Sequence, residues 1–279
     1  MEFNIETYLD SLHKNITELD VSKKNLTYLP SLTRFKKLRT LNCMYNKLTS
    51  LPPLNPNLQF LWCSHNKLTS LPSFNEKLVV LHCSNNKLTS LPPLNEFLTR
   101  LYCDANKLTS LPPLNNFLIR LWCNNNQLTS LPPLNEKLEY LYCRCNHLTS
   151  LPSLNSKLRE LTCSANKLTS LPPLNARLEK LLCRHNQLTS LPYLNKKLKI
   201  SCENNPMIIT GKTRSEFKKN IEKFNNFRHL YYSLKFKNKF RHWLWSKVME
   251  PKAMKKYHPD YLLENLHETM DLDEFLDKW

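Results

Sequence analysis

Ten cysteines are the residues best equipped for chemistry in this chain, and eight of them recur every twenty residues: Cys43, Cys63, Cys83, Cys103, Cys123, Cys143, Cys163 and Cys183. Thiolates ligate zinc and act as nucleophiles, and paired thiols close disulfides. Zinc sites draw on clustered ligands such as C-x-x-C pairs, which a twenty-residue period does not supply. Regularly spaced cysteines read instead as small apolar core residues, reduced and structural. Such usage fits a reducing compartment. Cys145 makes a close pair with Cys143, but it falls where side chains should face outward. It is expected to be an exposed thiol with no neighbour to make it a nucleophile.

Other chemistry is poorly served. The single glycine, Gly211, excludes a dinucleotide fingerprint, a glycine-rich kinase loop and a nucleophile elbow, each of which needs glycine at a tight turn or a close approach to phosphate. Gly211-Lys212-Thr213 matches the end of a phosphate-binding loop, yet the upstream glycine of that motif falls at Pro206. The nine histidines are scattered, and no triad or carboxylate pair can be assembled from the sequence. No catalytic residue, metal ligand or cofactor is expected, and the chain reads as non-enzymatic. Asn15-Ile-Thr17 and Asn25-Leu-Thr27 fit glycosylation sequons, which carry no weight without a secretory signal.

The elements that position these residues come from an internal repeat. From Leu58 onward the pattern L-x-x-L-x-C-x-x-N-x-L-T-S-L-P-x-L-N-x-x recurs, with asparagines three residues behind the cysteines at Asn46, Asn66, Asn86, Asn106, Asn126, Asn146, Asn166 and Asn186. A frame at Ile16–Val21 opens the array and has Lys24 in the asparagine position. A frame one residue short, Leu198–Cys202, closes it at Asn205-Pro206. Irregular outer frames suit terminal caps. No twenty-residue unit can bury Leu58, Leu61 and Cys63 alone, but stacking against Leu78, Leu81 and Cys83 does so. Proline after the last leucine of each unit (Pro52, Pro72, Pro92) excludes helix there and favours extended chain. The asparagines stand where the chain leaves each strand and can bond main-chain groups that the core strips of water.

Residues 16–206 resemble the leucine-rich repeat family in its short bacterial type with an LTSLP second half. The resemblance implies an α/β-class leucine-rich repeat solenoid: a curved array with a parallel sheet on the concave side and an extended, proline-containing convex side. Ten strands at about 4.8 Å spacing make an arc of roughly 45 Å. The expected organisation is an N-terminal cap over 1–15, about ten repeats over 16–206, and a helical basic and acidic segment over 207–279.

Alternation along each strand puts the residues flanking the inward leucine on the concave face. One outward column reads Asn42, Trp62, His82, Tyr102, Trp122, Tyr142, Thr162 and Leu182, with five consecutive rings. The column beside it reads Thr40, Phe60, Val80, Arg100, Arg120, Tyr140, Glu160 and Lys180, and a flank carries Lys47, Lys67, Lys87, Lys107 and Lys167. Rings on a sheet surface stack on one another across strands, which stabilises the sheet by itself. An exposed aromatic patch beside arginines also has the composition of a protein-interaction hot region. The core positions repeat faithfully while these outward positions vary, which favours binding. Phe60, Trp62, His82, Arg100, Tyr102, Arg120, Trp122, Tyr140 and Tyr142 are the expected partner-binding residues, with Trp62, Tyr102, Trp122 and Tyr142 as anchors.

Beyond Pro206 the composition changes. Residues 212–256 hold fourteen Lys and Arg against three acids, and residues 257–279 hold one lysine and seven acids. Phe217, Ile221, Phe224, Phe227, Tyr231 and Leu234 recur at helical spacing. A second helix is expected through Phe240, Leu244 and Val248, with shorter ones after Pro259 and at Asp271. The run from Trp243 to Trp279 is similar to a tail found in proteins of mimivirus-like giant DNA viruses, and implies a source rather than an activity. Short repeats of this type also resemble bacterial effectors with a ubiquitin-ligase domain. That activity does not transfer, because the 73 residues after Pro206 are too few and the last cysteine is Cys202.

The expected function is a non-enzymatic protein–protein interaction scaffold that holds an unidentified protein or peptide on the concave face. The formal charge of +17 leaves nucleic acid as the second choice, through the lysine flank and the basic helix. An adaptor that brings a captured target to other machinery is a further alternative. No basic-then-apolar leader is evident in MEFNIETYLD, and no run of about 18 apolar residues could span a bilayer. No membrane partner and an intracellular place of action are therefore expected, in the host cytoplasm if the source is viral.

Overall fold

The computed structural model describes residues 3–195 and 197–207, with the single positions Lys219 and Lys223. The chain divides into two units, residues 1–217 and 218–279. The expected helices of the C-terminal segment and the Gly211-Lys212-Thr213 motif lie outside the described residues, apart from Lys219 and Lys223, which are helical.

A short helix, α1 (Ile5–Asp10), opens the described chain. The Asn4 side chain accepts from the amides of Glu6 and Thr7, satisfying two donors that a helix start leaves unpaired. Ile5 and Leu9 turn inward, while Asp10 pairs with Arg34 and Glu6 accepts from the Tyr28 hydroxyl.

Ten three-residue strands follow, one per coil. They are β1 (Glu18–Asp20), β2 (Thr40–Asn42), β3 (Phe60–Trp62), β4 (Val80–His82), β5 (Arg100–Tyr102), β6 (Arg120–Trp122), β7 (Tyr140–Tyr142), β8 (Glu160–Thr162), β9 (Lys180–Leu182) and β10 (Lys199–Ser201). They form one parallel sheet in sequence order. The sheet and its stacked coils make the parallel solenoid that the repeat requires. Register is strict: Leu19, Leu41, Leu61, Leu81, Leu101, Leu121, Leu141, Leu161, Leu181 and Ile200 are Cα partners of their neighbours. The ladder continues past each strand, for Cys63 N donates to His82 O and Cys123 N to Tyr142 O, both at 2.8 Å. β10 pairs with β9 at an offset of nineteen rather than twenty, because the last frame is one residue short.

The core is a set of leucine columns with the thiols among them. Leu58, Leu61, Cys63 and Leu68 are fully enclosed, as are their counterparts through Leu168. Burying a leucine stabilises a fold by roughly 1.5–3 kcal/mol. Several such residues per coil outweigh what any surface ion pair contributes, at about 0–1 kcal/mol. The proline-bearing segments on the other side of each coil carry no helix among the described residues.

Two asparagine ladders fasten the coils. In the first, Asn126 donates its amide to Cys103 O at 3.0 Å and Cys123 O at 3.2 Å and accepts from Leu108 N at 3.0 Å. Neighbouring coils are thereby joined through one buried side chain. The arrangement recurs from Asn46 to Asn186, and Asn205 continues it in the short frame. In the second ladder, Asn115, Asn135 and Asn155 each donate to the carbonyl oxygen of the asparagine one coil earlier, at 2.6 Å. Phe35 takes the place of the first rung, and Asn55 donates to its carbonyl at 2.8 Å.

A third column is unusual for a chain so poor in glycine. Tyr45, His65, Asn85, Ala105, Asn125, Cys145, Ala165 and His185 all adopt left-handed φ between 50° and 57°. The turn that brings the first-ladder asparagine inward needs this conformation on every coil, and ordinary residues bear its steric cost.

Candidate recognition surface

The parallel register brings the outward residues of successive strands side by side on one face. Phe60 and Trp62 lie with ring centroids 6.4 Å apart, and the row then runs Trp62–His82 at 6.5 Å and His82–Tyr102 at 4.0 Å. It continues Tyr102–Trp122 at 5.0 Å and Trp122–Tyr142 at 4.9 Å. His82 and Tyr102 are stacked nearly parallel, whereas Trp122 meets both its tyrosine neighbours at more than 70°. The rings cover one another, so most are only half-exposed; Trp122, at 36%, stands furthest into solvent. Each such contact adds about 0.5–1.5 kcal/mol beyond area burial, so the row is ordered before any partner arrives.

The neighbouring column brings charge to the rings. Arg120 lies over the Tyr140 ring at 4.8 Å, and Arg100 is exposed beside it on β5. Burial, with the Arg100 charge adding to it, lowers the pKa of His82 and favours the neutral imidazole. Val80 and Thr162, from the two outward columns, are buried. Lys47, Lys67, Lys87, Lys107 and Lys167 are exposed along the flank.

Two residues outside the expected set shape this surface. Tyr142 donates its phenolic proton to Glu160 Oε2 at 2.6 Å, and Lys180 Nζ lies 3.4 Å from the same oxygen. Burial, the hydrogen bond to Glu160 and the Glu160 charge together push the Tyr142 phenol well above its ordinary range. On the other side of the row, Asp104 accepts from Asn124 N and Nδ2 at 2.8 and 2.7 Å, and Ser84 Oγ lies 3.4 Å away. Burial raises its pKa, and those hydrogen bonds act in the opposite direction. In the sequence Glu160 is only one member of a varied column, and Asp104 belongs to none.

The thiols form a column inside the sheet. Cys43 and Cys163 are pushed up to about 12 by burial, and the thiols of Cys63, Cys83, Cys103, Cys123 and Cys143 are raised for the same reason. A thiol so buried is a packing residue, not a nucleophile. Cys145 is half-exposed, and all ten cysteines are free. No group of three or more histidine, cysteine, aspartate or glutamate side chains that could hold a metal occurs among the described residues. No described helix is long and apolar enough to cross a membrane.

Comparison with known proteins agrees with this architecture. Residues 56–96 and 117–156 match the family of Leucine Rich repeats (2 copies). The leucine-rich repeat domain of a Shigella effector is 32% identical, covers 60% of this chain and 75% of its own, and superposes with a TM-score of 0.53. The chain belongs to the leucine-rich repeat family. YopM from Yersinia enterocolitica is 32% identical over 72% of this chain, with a TM-score of 0.64. The functional domain of InlJ from Listeria monocytogenes, described as including a cysteine ladder, is 31% identical over 75% of this chain, with a TM-score of 0.62. The chain spans 49% of that YopM chain and 48% of that InlJ chain. No curated protein sequence matches it. In this leucine-rich repeat protein the cysteine column runs through eight in-phase rungs and ends with Cys202.

Proposed function

We propose that this leucine-rich repeat chain is a non-enzymatic scaffold that captures a protein or peptide on the exposed face of its sheet. The observation that carries the reading is the continuous row from Phe60 to Tyr142. An ordered aromatic surface on a stacked backbone loses little conformational entropy on binding. Leucine-rich repeat proteins are generally interaction scaffolds, and similar structures include the repeat domain of an effector. The anchors are Trp62, Tyr102, Trp122 and Tyr142, with Phe60, His82, Arg100, Arg120 and Tyr140 beside them. We further propose the division into cap, solenoid and C-terminal segment at 1–15, 16–206 and 207–279. A giant-virus source and action inside the host cell rest on the resemblance of residues 243–279 and on the reduced cysteine column.

The test is an affinity capture with the full chain and its Trp62→Ala/Trp122→Ala variant, with circular dichroism as the fold control. Loss of a partner in the folded variant supports the reading, and undiminished capture rejects this face. The exposed lysine flank favours a second reading, in which RNA or another polyanion is bound. Binding of that kind weakens steeply from low to moderate salt. Aromatic-anchored capture changes little over the same range.

A further inference from the structure

Arg100 and Arg120 are Cα partners on β5 and β6, so two like charges stand side by side on the sheet face. Like charges directly opposite one another destabilise a sheet, and neither arginine has a carboxylate partner among the described residues. Acids of this and the following coils are engaged elsewhere. Glu160 is held by Tyr142 and Lys180, Arg159 lies between Glu139 and Glu179, and Asp104 is bonded to Asn124 and Ser84. None of these carboxylates forms an ion pair with either guanidinium.

Their surroundings limit what they could hold. Arg120 lies over the Tyr140 ring, 4.8 Å from its centroid, and a guanidinium placed over a ring still has N–H donors to offer an anion. Two residues along the same strands, Tyr102 and Trp122 present rings, with Trp122 the more exposed. The column does not extend as a cationic track. Val80 is apolar and buried on one side, and on the other stand Tyr140 and then the Glu160–Lys180 ion pair, so no run of free cations continues the two arginines. The space suits one anionic group with an apolar neighbour.

We propose that Arg100 and Arg120 form an anion subsite that takes a carboxylate or phosphate side chain of an extended peptide, whose adjacent apolar residue rests on Trp122. This deepens the scaffold reading and depends on it. A bidentate guanidinium contact gives the register, and the rings give the contact area.

The experiment is a synthetic peptide array of twelve-residue sequences with a central Asp, Glu, phosphoserine, Gln or Lys among randomised flanks, probed with the full chain. The expected result is selection of the acidic centres, with Asp and Glu against phosphoserine distinguishing the source of the anion. Arg100→Glu/Arg120→Glu should weaken those peptides by about tenfold or more and turn the preference towards Lys. Arg100→Gln/Arg120→Gln should remove the preference without reversing it, and circular dichroism checks both folds. Trp62/Trp122-dependent binding without acidic preference would overturn this subsite and leave the scaffold reading standing. An acidic preference that survives charge reversal would overturn it too. Failure to retain any peptide, with poly(U) RNA retained instead, would overturn both.

Discussion

Tyr142 and Glu160 lie on neighbouring strands, and the phenol donates to the carboxylate across 2.6 Å. The bond joins the last ring of the aromatic row to the ion pair of Glu160 with Lys180. The Tyr142 pKa is raised, so the protonated phenol belongs to the fold. Its stabilising contribution is complete below the unfolded phenol value near 10 and is lost as pH rises further. Tyr142→Phe should cost about 1 kcal/mol at neutral pH and flatten the alkaline part of the pH–stability curve. Urea unfolding across pH 8 to 11 reads both effects.

Asn126 serves three main-chain groups that have left water: Leu108 N, Cys103 O and Cys123 O. Asn126→Ala orphans Leu108 N, while Cys103 O and Cys123 O keep the amides of Asn106 and Asn146, and the leucines stay in place. A loss of about 1–3 kcal/mol is expected, the cost of one buried unsatisfied group. Neighbour interfaces carry repeat stability, so the unfolding transition should also broaden or split. Denaturation of the variant followed by circular dichroism checks this.

Thiol accessibility separates packing from reactivity. At pH 8, maleimide labelling of the native chain should modify Cys145 rapidly and the other nine cysteines slowly, with all ten labelled in denaturant. Cys145→Ser should remove the rapid phase. The buried thiols have raised pKa values, with Cys43 and Cys163 at about 12. Their neutral forms therefore stabilise the fold fully below the unfolded thiol value near 8.5, and that contribution falls as pH rises towards 12.

Ala165 sits at φ 53°, where a Cβ is disfavoured by roughly 1–2 kcal/mol. Ala165→Gly should therefore raise stability by about 0.5–1 kcal/mol, after the larger backbone entropy of glycine in the unfolded chain is deducted. A rise in the urea midpoint with an unchanged slope is the expected readout. The same change at Leu161, inside β8, should destabilise.

The repeat makes the solenoid legible in the sequence. Leucine, cysteine and asparagine at fixed offsets state which side chains are enclosed, and strand alternation states which face outward. The second asparagine ladder stands in the pattern from Asn55 to Asn195 without an evident role, since only the fold brings each one to the carbonyl of the coil before it. The left-handed column is hidden because its residues are ordinary: no glycine marks Ala105 or Ala165. Glu160 cannot be linked to Tyr142 from sequence, for their meeting depends on side-chain geometry across two strands. Likewise, alternation places the rings on one face, but their mutual covering and the prominence of Trp122 are matters of rotamer and packing.

Photo-crosslinking from position 102 reads out whether the aromatic row is where a partner is held. A benzoylphenylalanine in place of Tyr102 lies within the aromatic row, and the same residue in place of exposed Thr109 lies outside it. Capture on this face requires partner crosslinks from position 102 that an excess of unlabelled full chain competes away, and few from position 109. Crosslinks from 109 with none from 102 would contradict it.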